Sequence, residues 1–136
     1  MGRPTLPEID SMSSTPIASP PYLDHERLRV YQRALALDRL VTATLRRVPR
    51  GHADLCDQAL RASASTVLNI AGSVGRRGAD RARCLRIAYG SALETDAALS
   101  VLSHRAPVAE AERRMAREHT LAITALLARF IERSAA

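Results

Sequence analysis

The densest chemistry in the sequence is the stretch NIAGSVGRRGADRARCLR, residues 69–86, which places Arg76, Arg77, Arg81, Arg83 and Arg86 within eleven residues around an expected helix start. A guanidinium is a planar fork of donors that matches phosphate or carboxylate oxygens, so the chemistry on offer is anion binding. The placement is costly. Unpaired amides give the first turn of a helix partial positive charge, and Arg81 and Arg83 there oppose it by roughly 0.3–1 kcal/mol each. Something must compensate them, and a phosphate held by free N–H groups and arginine forks would do so.

Other reactive residue types are present without the spacing that catalysis needs. His25, His52, His104 and His119 lie near expected helix ends or on a polar face, with no HExxH, no pair at i and i+4 and no cysteine close by, so no metal site is expected. Ser63, Ser65, Ser73, Ser91, Ser100 and Ser103 lack a strand–elbow–helix setting and a positioned base. The glycines of AGSVGRRG follow no strand and precede no GK[ST], so they are not a phosphate loop. The sequence thus reads as a non-enzyme without a cofactor.

Composition points the same way. The chain of 136 residues is long enough for one core without disulfides or metal, carries a formal charge of +6, and all 20 of its cationic residues are Arg. Genome composition alone can produce an arginine-for-lysine bias, but the positive balance still favours polyanionic partners. Aromatic residues are only 3%, so the core must be built from Leu, Ala, Val and Ile, a palette that suits close-packed helices. No apolar run approaches the roughly 20 residues that span a bilayer, and the N-terminus has no continuous apolar h-region; the expectation is a cytoplasmic protein with no membrane partner.

These arginines need helices to position them. Residues 1–23 hold five of the seven prolines and a Ser/Thr cluster, and read as a disordered leader of net charge −1. From residue 24 the apolar spacing predicts helices over about 24–48, 52–74, 80–105 and 107–134. Helix one is expected to turn Leu28, Tyr31, Leu35, Asp38, Val41 and Leu45 inward; helix two Leu55, Ala59, Ala62, Thr66 and Ile70; helix three Cys84, Ala88, Ser91, Thr95, Ala98 and Leu102; helix four Val108, Ala111, Met115, Ala122, Leu126 and Phe130. Four such helices joined by short turns favour an all-α, up-down-up-down antiparallel bundle. Helices two and three face each other with small residues, Ala59, Ala62, Ser63 and Thr66 against Ala88, Gly90, Ser91 and Ala92, which allows close approach of their axes. The short turn at Gly75–Ala79 makes facing positions sum to about 154. That register separates Cys56 and Cys84 by roughly 20 Å along the bundle, beyond disulfide reach, and sets Arg61 opposite Glu94 as an expected structural ion pair.

Alternating direction brings the start of helix one, the turn between helices two and three and the end of helix four to a single pole. That pole collects Arg27, Arg29, Arg76, Arg77, Arg81, Arg83, Arg129 and Arg133 against Asp24, Glu26, Asp80 and Glu132, a surplus of +4, with Arg86 one turn further in; the opposite pole has +2. One reading is a solvated cap that keeps the protein soluble. The other is a nucleic-acid site, directed at phosphate and weakly sequence-selective because no aromatic sits among these arginines, which fits structured RNA better than unpaired strands. An adaptor that recruits another protein is the alternative. A bundle responsive to lipids or small molecules would need an apolar pocket for which the small facing residues leave little room. Val30, Leu37, Leu40, Leu93, Val101, Leu121 and Leu127 fall off the inward stripes and are the candidates for subunit contacts.

The segments LRASASTVLNIAGSVGRR (60–77), IAYGSALET (87–95) and LRVYQRALAL (28–37) resemble the family of four-helix-bundle proteins encoded in intervening sequences of bacterial large-subunit ribosomal RNA genes. The first is similar to that family's R-A-x-S-I-x-x-N-I-A-E-G-x-G-R signature, with Arg61, Ser65, Asn69, Ile70, Ala71, Gly75 and Arg76 matching; the second, through Gly90, Ser91 and Glu94, to its A-x-G-S-x-x-E. Two positions depart: the family's Glu-Gly is Gly72–Ser73 here, and its Trp is Tyr31. The resemblance covers residues 24–133. It implies a homo-oligomer, a ring-like pentamer, without enzymatic activity, and a related branch of accessory proteins of diversity-generating retroelements that work with a reverse transcriptase and RNA. Five copies of one cationic pole about an axis would multiply a modest charge into a ring.

Overall fold

The computed structural model describes residues 23–135, and the leader expected over 1–23 lies outside them except for Leu23. A 3-10 turn, Asp24–Arg27, precedes α1 (Arg29–Leu45), α2 (Ala53–Val74), α3 (Gly78–Arg105) and α4 (Glu110–Ala135), and there is no strand among the described residues. Consecutive helices pack together and α4 closes on α1, while the diagonal pairs α1/α3 and α2/α4 do not approach.

Direction follows from polar crossings between the helices. Arg33 on α1 donates to His119 Nδ1 on α4 at 3.3 Å, and Thr44 near the end of α1 and Arg47 just beyond it both donate to Glu112, nearer the start of α4. Ser65 on α2 meets Ser91 on α3 at 2.8 Å, and Gln58 meets Glu94, which brackets the expected register. The chain is therefore the up-down-up-down four-helix bundle that the apolar spacing predicts.

Helices α2 and α3 bury the stripes read from the sequence almost residue for residue. Ala59, Ala62, Ser63, Thr66 and Ile70 lie against Cys84, Ala88, Ser91, Ala92, Thr95 and Ala98, with Leu85, Leu99 and Leu102 filling the wider part of the core. Buried hydroxyls would normally be costly. Here three are satisfied within their own helices, Thr66 donating to the Ala62 carbonyl (2.9 Å), Ser73 to Ile70 (2.7 Å) and Thr95 to Ser91 (2.8 Å), while Ser63 also donates to Asp38 on α1 (2.7 Å). Gly90, expected among the small facing residues, points outward instead, with no heavy atom within 4 Å of where a Cβ would sit.

Helices α1 and α4 depart more. The first helix starts at Arg29 because Leu28 is extended (φ −82°, ψ 128°); the preceding turn is held by Leu23 N–H donating to Glu26 Oε1 at 3.0 Å and by an Arg27–Asp24 pair at 2.6 Å. Its buried face is Val30, Ala34, Leu37, Val41, Thr44 and Leu45, while Tyr31, Leu35 and Asp38, expected inside, are only half-buried. In α4 the inward stripe is Ala116, Thr120, Ile123, Leu127 and Phe130, while Ala111 and Met115, expected inside, face solvent. Polar crossings set that rotation. Glu112 is drawn to Thr44 and Arg47, and Arg113 reaches Asp96 at 2.9 Å and the Ser100 hydroxyl on α3, so the helix cannot turn Met115 inward without breaking both.

Candidate nucleic-acid interface

Gly78 opens α3 with φ +53°, a left-handed conformation that disfavours any other residue, after an extended Arg77. The helix thus starts two residues before the expected Asp80, which moves Arg83 out of the first turn. Arg81 stays in that turn but folds back over the α2–α3 connection. Its Nε donates to the Ser73 carbonyl at 3.0 Å and its Nη2 to the Val74 carbonyl at 3.3 Å. These are acceptors in the last turn of α2, the negative end of that helix. The compensation expected from a bound phosphate is therefore supplied for Arg81 by the protein itself.

Much of the remaining pole is similarly committed. Asp80 takes Arg76 at 3.2 Å and Arg83 at 3.5 Å, and Asp24 takes Arg27. Arg29, Arg129 and Arg133 are exposed, each held in an interaction of its own. Arg77 and Arg86 differ: both are exposed, and neither guanidinium makes an ion pair or hydrogen bond among the described residues. The start of α1 does share this end with the α2–α3 turn, since the 3-10 turn packs on α2. The antiparallel crossing at Arg33 and His119 carries the last turns of α4 past it.

The family-like residues gather on the α2–α3 seam. The Asn69 amide donates to the Ser65 carbonyl at 2.9 Å and to its hydroxyl at 3.2 Å, Ser65 meets Ser91, and a shallow recess of about 280 Å³ beside them is also lined by Arg61 and Glu94. The expected Arg61–Glu94 ion pair does not form. Arg61 turns to Asp57 one helical turn away, at 3.2 Å, because Gln58 already occupies Glu94. Ser73, where the resemblance puts glycine, is buried, and Gly72, where it puts glutamate, faces open space.

The candidates for subunit contacts divide sharply. Val30, Leu37 and Leu127 are 0% exposed and belong to the bundle core, which corrects their assignment to an outer surface. Leu40 and Val101 are half-buried, Leu40 packing on that core. Leu93 and Leu121 stand out at 50% and 62% exposed, joined by Leu68, Ile87 and Met115, which a reading confined to inward stripes does not find.

A second cationic surface runs along α1. Arg29, Arg33 and Arg39 line a groove of about 450 Å³ together with Glu26, Tyr31 and Gln32. The only signal for it in the sequence is three arginines, four and six residues apart, on a helix whose one acid, Asp38, lies elsewhere: Asp38 accepts from Ser63 on α2 at 2.7 Å. Tyr31 also meets the His25 ring edge-on, with centroids 4.8 Å apart. His119, which accepts from Arg33, has its pKa lowered by burial and then by the Arg33 charge, with Glu118 opposing. A neutral ring is the form that can accept this bond.

Among the described residues no three His, Cys, Asp or Glu side chains converge as metal ligands, and no helix is long and apolar enough to cross a membrane. Cys56 and Cys84 are free thiols. Residues 26–129, from the 3-10 turn through most of α4, match a family model described as 23S rRNA-intervening sequence protein. No curated protein matches the chain.

Proposed function

The chain belongs to the 23S rRNA-intervening sequence protein family, and on that footing we propose that it is a non-catalytic, oligomeric RNA-binding protein that contacts structured RNA through the cationic pole. The observation that carries this reading is the pair Arg77, in the α2–α3 turn, and Arg86, about two turns into α3, both exposed with their guanidinium groups uncommitted among the described residues. Arg76 and Arg83, sharing one carboxylate, add a net positive charge next to them. Such contacts are to phosphate, so affinity falls steeply with salt. A pentamer would present five copies of this pole about one axis, and avidity would replace strong single contacts.

The test is a double substitution, Arg77→Ala with Arg86→Ala, assayed against a folded RNA hairpin over a range of salt. The fold should be unchanged by circular dichroism, affinity should drop, and the salt slope should fall by about 1 for each phosphate-contacting arginine removed. Equal affinity and slope in the two proteins would remove the pole as the site.

The exposed apolar residues Leu68, Ile87, Leu93 and Leu121 favour a second reading, a scaffold that assembles with itself and recruits a protein such as a reverse transcriptase. Recruitment of that kind would survive nuclease and high salt.

A further inference from the structure

We propose that the groove on the outer side of α1 takes an unpaired nucleotide of an RNA strand, with the base against Tyr31 and flanking phosphates on Arg33 and Arg39. This rests on the RNA-binding reading above and extends it from paired RNA at the pole to unpaired RNA at a second surface. The two surfaces differ in one respect that matters for such a ligand. The pole offers arginines with no aromatic among them, whereas the groove along α1 has Tyr31 at one edge and Arg33 and Arg39 in the same lining.

The dimensions and chemistry fit. The groove is open and shallow, about 450 Å³, with room for a base laid against its wall while the strand runs on in solvent. Arg33 and Arg39 are separated by about 9 Å along the helix axis, enough to engage different phosphates of one strand. Every base has a π-face, so an aromatic wall with cationic groups beside it holds unpaired strands without reading their sequence. Gln32 supplies an amide at the same wall. Glu26 is the acid of the groove, and its carboxylate is engaged by the Leu23 N–H at 3.0 Å. Arg33 is steadied by His119 at 3.3 Å, and Arg39 is exposed with no partner among the described residues.

The chain has no Trp and three Tyr, so intrinsic tyrosine emission reports stacking directly. The full chain is titrated with a uridine octamer and, separately, with a blunt RNA duplex. The wild-type protein should bind the octamer with quenching of tyrosine emission. Tyr31→Leu should lose the quenching and bind the octamer about tenfold more weakly, a typical loss for one stacked base, with duplex affinity unchanged. Because Tyr31 also packs on the core, Arg39→Glu, at an exposed position, decides the matter if Tyr31→Leu unfolds: it should weaken octamer binding at least as much and leave the melting curve unchanged. Octamer binding equal to wild type in Arg39→Glu, or in a folded Tyr31→Leu, would overturn the groove while leaving the pole intact. A wild-type chain that binds neither RNA at low salt would overturn both readings.

Discussion

Replacing Arg81 by Met separates the two explanations for an arginine in the first turn of α3. Methionine keeps the length and apolar stem of the side chain and removes the donors that reach the Ser73 and Val74 carbonyls at 3.0 and 3.3 Å. A charge-assisted hydrogen bond contributes about 1.5–3 kcal/mol at full burial; these are only half-buried and partly replaced by water, so the expected loss is about 1–2 kcal/mol for the pair. For a domain of this size that corresponds to about 3–8 °C in melting temperature. The assay is a thermal melt by circular dichroism alongside RNA titrations at several salt concentrations. Arg81 is spent on α2, so RNA affinity and salt slope should match wild type while the melt shifts down. An unchanged melt with weakened RNA binding would refute this, and would mean that the side chain leaves the α2 carbonyls for phosphate.

Two further perturbations test other parts of the structure. The folded-state pKa of His119 lies below its unfolded value, so the neutral ring contributes stability that is fully present above pH about 6.5 and is lost as pH falls below that value toward the folded pKa. Urea midpoints should therefore fall between about pH 7.5 and 5.5 by more in wild type than in His119→Gln, which cannot titrate; equal falls would exclude His119 as the source. Gly90→Ala should stabilise the subunit by about 0.5–1 kcal/mol, because α3 gains a helix-favouring residue where nothing lies within 4 Å. A lowered melting temperature, or loss of an oligomer in native mass measurements, would show that another copy packs closely against Gly90.

How far the sequence discloses this fold varies from helix to helix. Helices α2 and α3 are legible because their small and β-branched residues recur at an unbroken helical period, and the short turn between them leaves a single register. Helix α4 is misphased by one position: Met115 and Ala111 are as apolar as Ala116 and Ile123, and the tie-breaking contacts come from residues distant in the chain, Thr44, Arg47 and Asp96. Arg81 is misread for a related reason. Its acceptors are main-chain carbonyls, present at every position of a sequence and exposed only where a helix ends. The ion pair expected between Arg61 and Glu94 places both residues correctly at one seam, yet each has a nearer partner, Asp57 and Gln58. The α1 groove stays hidden because its arginines are spaced by six and four residues, too sparse to stand out beside GRRGADRAR.

The buried hydroxyls of Thr66, Ser73, Thr95 and Thr120 donate to carbonyls three or four positions back on the same helix, so these four create no obligation between one helix and the next. Each could be exchanged for a methyl group with little consequence for how the helices meet. Alignment of the four rods then falls to polar rivets across the seams, the buried Ser63 to Asp38 and Thr44 to Glu112, Ser65 to Ser91, and Asp96 to Arg113 and Arg117. Those four positions are free to drift in composition, and the geometry of the bundle is written along its seams.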